Sequence, residues 1–130
     1  MIVNANALVI PLADKSVQCV VASPPYWGLR DYQIPGQLGL EPTVEEYVAN
    51  LVAVGRELWR VARDDGTWWL NIGDSYYSNP GNGRGGGSTL SGGKPHLSGA
   101  RREGHNASGL KPKDLCMIPA RVAIALQADG

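Results

Sequence analysis

Four residues, Ser23-Pro24-Pro25-Tyr26, carry the chemistry this sequence most plainly offers. They follow an apolar run, Val17–Ala22, that reads as a buried strand. Ser23 therefore falls at a strand's carboxyl end, the edge where open α/β sheets bind ligands. Consecutive prolines hold φ at about −65° and remove two backbone donors, so the carbonyls there are stiff and lack ladder partners. The Ser23 hydroxyl and the adjoining carbonyls then make a rigid row of acceptors with the Tyr26 ring behind it. Such a row suits a flat group bearing an exocyclic amine, because the acceptors take its N–H protons while the ring stacks on its face. By residue type alone the same stretch also reads as a rigid turn followed by two core aromatics, Tyr26 and Trp27.

The stretch resembles motif IV of the amino-DNA methyltransferases, (D/N/S)-P-P-(Y/F/W), and the likeness runs on through Trp27-Gly28-Leu29-Arg30-Asp31-Tyr32. Gly39-Leu40-Glu41-Pro42-Thr43, Asn71-Ile72-Gly73-Asp74-Ser75-Tyr76 and Leu126-Gln127-Ala128-Asp129-Gly130 are similar to later blocks of one branch, in which motif IV precedes the cofactor motif. The resemblance implies S-adenosylmethionine as methyl donor and an amino group of double-stranded DNA as acceptor, cytosine N4 ahead of adenine N6. Ser23, Pro24, Pro25 and Tyr26 would be catalytic and Trp27 would join the target-base pocket. With the base flipped out of the duplex, Ser23 Oγ and the Pro24 carbonyl would accept the amine protons and free its lone pair for attack. Where that branch often has Gly-Asp facing the cofactor, this chain has Ala5-Asn6. Asn6 can hydrogen-bond an adenine or ribose but supplies no charge, and it equally suits the cap of a turn.

No Phe-x-Gly-x-Gly cofactor motif occurs, and the chain has no phenylalanine at all. The expectation is accordingly the N-terminal, catalytic half of a methyltransferase domain over residues 1–130, with the cofactor motif beyond Gly130. Two other readings stay open: a methyltransferase of RNA or protein amines, and a non-catalytic remnant that only binds nucleic acid.

The elements that must position these residues are legible in outline. Thr43-x-x-Glu46 is a capping box, and apolar residues recur at helical spacing from Val44 to Ala62, giving a helix over 44–63 with Gly66 at its C′ position. Thr67–Ile72 is a β-rich run. Strand, helix and strand form a parallel βαβ core, so both strands end on one edge. That places Gly73-Asp74-Ser75-Tyr76 across a crevice from Ser23, with Asp74 and Tyr76 as candidates for the base pocket. Met1–Val3 reads as a possible first strand, and Asp114–Ala128 as helix with Pro119 in a first turn. The fold class is α/β, a partial Rossmann-like sheet with a long glycine-rich loop.

That loop, residues 78–110, holds ten glycines between Gly81 and Gly109. Gly81-Asn82-Gly83-Arg84-Gly85-Gly86 spells G-x-G-x-x-G, but the residues after it cannot make the helix that a phosphate-binding fingerprint needs. The zero net charge of the chain conceals a dipole. Residues 80–113 carry six basic side chains against Glu103, and the remainder carries six basic against eleven acidic. A basic loop of this kind fits a DNA backbone, with Arg84, Lys94, Arg101, Arg102 and Lys111 as contacts and Arg30 as another, unless it pairs with Asp31. His96 and His105 lack ligand spacing, so no metal is expected. Cys19 and Cys116 read as buried free thiols. No apolar run is long enough for a membrane span, and the expected location is the cytoplasm.

Overall fold

The computed structural model describes residues 2–77 and 109–130. Its elements are strand β1 (Val17–Ala22), helix α1 (Val44–Val61), strand β2 (Ala62–Leu70) and helix α2 (Ile118–Asp129). The strands pair in parallel, from Cys19 opposite Thr67 to Ala22 opposite Leu70. Asn71 N–H extends the ladder by donating to Ala22 C=O at 2.9 Å. The βαβ unit expected from the sequence is therefore present, and both strands end on the edge that carries Ser23.

The junction between α1 and β2 differs from expectation. The helix stops at Val61, and Ala62 is already extended (φ −71°, ψ 142°) and opens β2. Gly66 is not a helix cap; it lies in an irregularity where a step of five in β2, from Ala62 to Thr67, accompanies a step of two in β1, from Val17 to Cys19. Two helix-end carbonyls have found other donors: Lys15 N–H binds Arg60 C=O at 3.0 Å and Ser16 N–H binds Val61 C=O at 2.9 Å. With those acceptors satisfied from outside, no left-handed cap is needed.

Thr43 accepts from Glu46 N–H at 3.2 Å, as a capping residue should. One face of α1 then buries Val44, Tyr47 and Leu51 against Ile118 and Val122 of α2, with Trp27, Leu110 and Cys116 completing the core. Leu110, expected in the glycine-rich loop, is buried in the core. Helix α2 begins at Ile118, not Asp114, and carries Pro119 in its first turn. The four residues before it are used otherwise, since Leu115 bridges Tyr76. Tyr77 N–H donates to Asp114 C=O at 2.8 Å, Lys113 N–H to Tyr77 C=O at 2.8 Å, and Cys116 N–H to Ser75 C=O at 2.9 Å. The chain thus leaves this point at Tyr77 and is back at it by Lys113. The segment expected to loop out between them, with Arg84, Lys94, Arg101 and Arg102, lies outside the described residues.

Two further expectations are corrected. Ile2 and Val3, expected in a first strand from Met1 to Val3, form no strand, because no neighbour among the described residues offers them a ladder. The outer sheet face is open: Val21 is 79% and Trp69 66% exposed, and Cys19 on the same face is exposed rather than buried. Helix α1 lies against α2 and β2, so Val20, Ala22, Trp68 and Leu70 are half-buried while their alternates face solvent. Cys116 is buried as expected, and burial pushes its thiol up. No described helix is long and apolar enough to cross a membrane.

Candidate active site

Ser23 is exposed at the end of β1, and its hydroxyl has no protein partner among the described residues. Pro24, Pro25 and Tyr26 are half-buried. The proline rings set their own φ, which leaves ψ as the freedom of the corner. A hydrogen bond from α1 removes it at Pro25, whose carbonyl accepts from the Tyr47 hydroxyl at 2.9 Å. Tyr47 stands in the first turn of the helix, at 0% exposure. Burial first, then the Glu41 carboxylate and the Tyr26 ring, push its hydroxyl from 10.0 up to about 12. It is a neutral, permanent donor.

The chain returns to brace the same corner from a second side. Gly28 N–H donates to Gly39 C=O at 2.7 Å, and Leu29 N–H to Tyr26 C=O at 3.2 Å. Gly39 has φ +93°, and a Cβ there would stand 2.9 Å from Tyr26 O and 3.2 Å from Pro25 O. Only glycine fits so close an approach in that conformation. Glu41, 8% exposed, ties this return together. Its carboxylate accepts from Gly39 N–H at 2.8 Å and from the Asn50 amide of α1 at 3.0 Å. Its carbonyl takes the Trp27 indole N–H at 3.0 Å. Trp27, expected in the base pocket, is 8% exposed; its ring is a footing in the core beneath the corner.

Across the crevice the Tyr26 ring lies on Gly73, where a Cβ would come within 2.8 Å of Tyr26 Cε2. The two strand ends predicted to flank one crevice therefore touch. Asp74 is exposed, and its Oδ1 accepts from Ser75 N–H at 2.8 Å and from Ile118 N–H at 3.1 Å, capping α2. Tyr76 is 71% exposed. Arg30 is exposed and forms no ion pair with Asp31, whose carboxylate accepts from Gln33 N–H at 2.7 Å. Lys111 is exposed, two residues before Lys113. Asn6 Oδ1 accepts from Leu8 N–H at 3.0 Å, closing its own turn.

Tyr47, Glu41 and Asn50 are the residues that reading the sequence passed over. By spacing, Tyr47 is one apolar position among several on a packing face. The available signal was Glu41, an acid set in a Gly-Leu-Glu-Pro turn directly before a helix cap. A groove of about 540 Å³ between α1 and α2, floored by Val48, Val52 and Ala125, shares no residue with the corner. Its size does not make it the site of chemistry.

A parallel βαβ unit with both strands ending on one edge is a fragment of an α/β fold, the class in which ligands bind outside the carboxyl ends of the strands. The DNA methylase family model, which spans N6 and N4 methylation, matches residues 17–130. The chain belongs to that family, as the resemblance at Ser23–Tyr32 implied. It is 51% identical over 127 residues to the type II methyltransferase M.XycI of Xanthomonas campestris pv. cyanopsidis, matching 92% of this chain and 38% of that protein. It is 45% identical over 130 residues to M.SmaI of Serratia marcescens, matching 98% and 42%. With M.SfiI of Streptomyces fimbriatus it shares 45% identity over 119 residues, 92% and 24%. The chain thus spans between about a quarter and two fifths of the length of these relatives. No solved structure matches it.

Proposed function

We propose that the corner at Ser23–Tyr26 activates an exocyclic amino group of a flipped DNA base for methylation, cytosine N4 before adenine N6. The observation that carries this reading is the unpartnered, exposed Ser23 hydroxyl on a corner whose neighbouring carbonyl is already tied down. Ser23 Oγ and the Pro24 carbonyl accept the two amine protons, which draws the nitrogen away from conjugation with its ring. Fixed dipoles of this kind need no reorganisation as charge develops. Tyr26, backed by Gly73, stacks on the base, a contact worth about 1–3 kcal/mol on aromatic platforms. Asp74 and Tyr76 form the opposite wall, and Arg30 and Lys111 meet the DNA backbone.

The methyl donor of this reading is S-adenosylmethionine, which supplies the electrophilic methyl. Asn6, the residue expected to face it, does not fit that role. Asn6 has its side-chain oxygen committed to Leu8 N–H, and the sequence contains no Phe-x-Gly-x-Gly run. What the residues of the corner do concerns the methyl acceptor.

Ser23→Ala tests the assignment in a methyl-transfer assay on duplex DNA. We expect turnover to fall about a hundredfold, the scale of one lost preorganised donor or acceptor, with DNA affinity within about twofold of the parent. Equal losses in turnover and affinity would remove Ser23 from the chemistry. Chemical-shift titrations with deoxycytidine against deoxyuridine, and deoxyadenosine against deoxyinosine, ask the same question of the acceptor row. Each pair exchanges an amine for a carbonyl, and the pair that the corner separates more strongly names the target base.

A further inference from the structure

The corner has two proline rings to fix φ, and one hydrogen bond from a helix to fix what the rings leave free. We infer that Tyr47 is a positioning residue for methyl transfer: by donating to the Pro25 carbonyl it orients the peptide that joins the acceptor row to the stacking ring of Tyr26. This rests on the reading of Ser23–Tyr26 as the amine-activating corner.

The Pro25 carbonyl belongs to the same planar peptide as the Tyr26 nitrogen. Rotating that plane changes ψ of Pro25 and φ of Tyr26 together, and so swings the ring relative to Ser23 and Pro24. Three contacts oppose the swing: the Tyr47 hydroxyl at 2.9 Å, Gly39 packed against both carbonyl oxygens, and Gly73 beneath the ring. Gly39 and Gly73 limit the plane by steric contact, and a steric wall stops movement in one direction only. The Tyr47 hydrogen bond is the directional one, because O–H···O geometry weakens steeply off its axis.

The placement of Tyr47 is itself well determined. Thr43 caps the helix one turn earlier, its Oγ accepting from Glu46 N–H at 3.2 Å and its carbonyl from Tyr47 N–H at 3.2 Å. Glu41, beside the same phenol, fastens the returning loop to Asn50 one turn further on. The hydroxyl keeps its proton across the neutral range, since burial raises its titration to about 12. Its contribution is therefore a constant, independent of working pH. A tyrosine whose only role is to fill the core needs no hydroxyl, and phenylalanine would serve.

Tyr47→Phe removes the oxygen and nothing else. It is compared with Leu51→Ala, which damages the same buried helix face one turn away without touching Pro25, and with Ser23→Ala. We expect Tyr47→Phe to lower kcat about tenfold, within the range that a sub-ångström misplacement can cost. KM for duplex DNA stays within about twofold, because orientation enters the transition state more than binding. The drop is the same at every pH of the neutral range. The preference of the corner for deoxycytidine over deoxyuridine weakens in parallel. Leu51→Ala lowers the melting temperature at least as much, yet below that temperature it leaves kcat near the parent value. Thr43→Ala, which loosens the turn that carries the hydroxyl, gives a smaller drop of the same kind.

Four outcomes decide between the ideas. If Tyr47→Phe keeps full kcat while Ser23→Ala loses it, Tyr47 has no positioning role and the corner stands. If Tyr47→Phe and Leu51→Ala lose kcat in proportion to their melting temperatures, the hydroxyl acts only through stability and the inference is wrong. Should Tyr47→Phe raise KM with kcat unchanged, the bond serves binding and the inference is again wrong. Full turnover in Ser23→Ala, or no amine preference in the parent protein, overturns the corner and the inference with it.

Discussion

At its amino end α1 holds residues 25–41 through Tyr47 and Asn50; at its carboxyl end it holds residues 10–16 through Glu57 and Arg60. The first grip is centred on a buried tyrosine and a buried acid; its donors are a phenol, an amide and a backbone N–H, with Glu41 as the one charged acceptor. The second is a cluster of ions that is partly covered at Glu57 and Arg60 and open to solvent at Asp14. Glu57 accepts from Ile10 N–H at 2.7 Å, and Arg60 donates to Ile10 C=O at 2.9 Å, to Leu12 C=O at 3.1 Å, and to Asp14 and Glu57. One helix therefore fastens two loops by different physics. Buried bonds are strong where they are dry and costly when broken, whereas exposed pairs are screened by salt and individually weak. The loop that must hold an acceptor row in one geometry is the one anchored on the buried Tyr47 and Glu41.

The contrast is sharpened most by Gly39. Replacing it by alanine puts a Cβ against two backbone oxygens at φ +93°, and neither oxygen can move without carrying the corner with it. We expect a loss of about 2–3 kcal/mol in urea unfolding, together with most of the turnover. Gly36→Ala is the comparison, since φ there is +76° but the space is open, and its cost should be only about 1 kcal/mol. Equal costs would mean that the contact at the corner carries no weight.

Changing pH should release the two grips from opposite sides. Tyr47 titrates higher in the folded chain, about 12 against 10.0. Its share of stability is complete below the unfolded value and is lost as pH rises between the two. Glu57 is held down to about 2 against 4.5, chiefly by Arg60 and then by Ile10 N–H. Its share is complete above the unfolded value and is lost as pH falls between the two. Protection of the amides, measured against intrinsic exchange at the same pH, should therefore be lost first in acid at Ile10, Lys15 and Ser16, and first in alkali at Gly28 and Gly39. Protection lost together at both ends would deny any difference between the grips.

The smallest effect is expected at Lys15–Asp64, a pair 2.8 Å apart with both side chains mostly exposed. Asp64→Asn should leave the unfolding midpoint unchanged within error, because such pairs commonly contribute nothing measurable. A clear shift would show that the surface grip depends on its full set of charges.

Much of this molecule was legible beforehand for identifiable reasons. The limits of β1 and the start of α1 follow from a turn, an apolar run and a capping threonine, all of them local signals. Parallel pairing follows from strand–helix–strand order, and the nearness of Ser23 to Gly73 follows from the pairing. The helix end was misplaced because Gly66 imitates a C-cap. The true ending depends on Lys15 and Ser16, some forty-five residues earlier, which donate to the last carbonyls. The length of α2 was overestimated for a similar reason, since residues 114–116 are used by Ser75 and Tyr77.

By itself the sequence determined the chemistry on offer: a serine and two prolines in a row, an aromatic behind them, and their position at a strand's end. Those properties are covalent or depend on neighbours a few residues away, so local order is enough to read them. Only the tertiary structure decided which side chain would hold the corner still. Tyr47 and Glu41 stand twenty-two and sixteen residues from Pro25, and what sets them apart is the atom each one reaches. Periodicity can show that Tyr47 faces inward, but the partner of its hydroxyl exists only once helix, corner and returning loop have packed together.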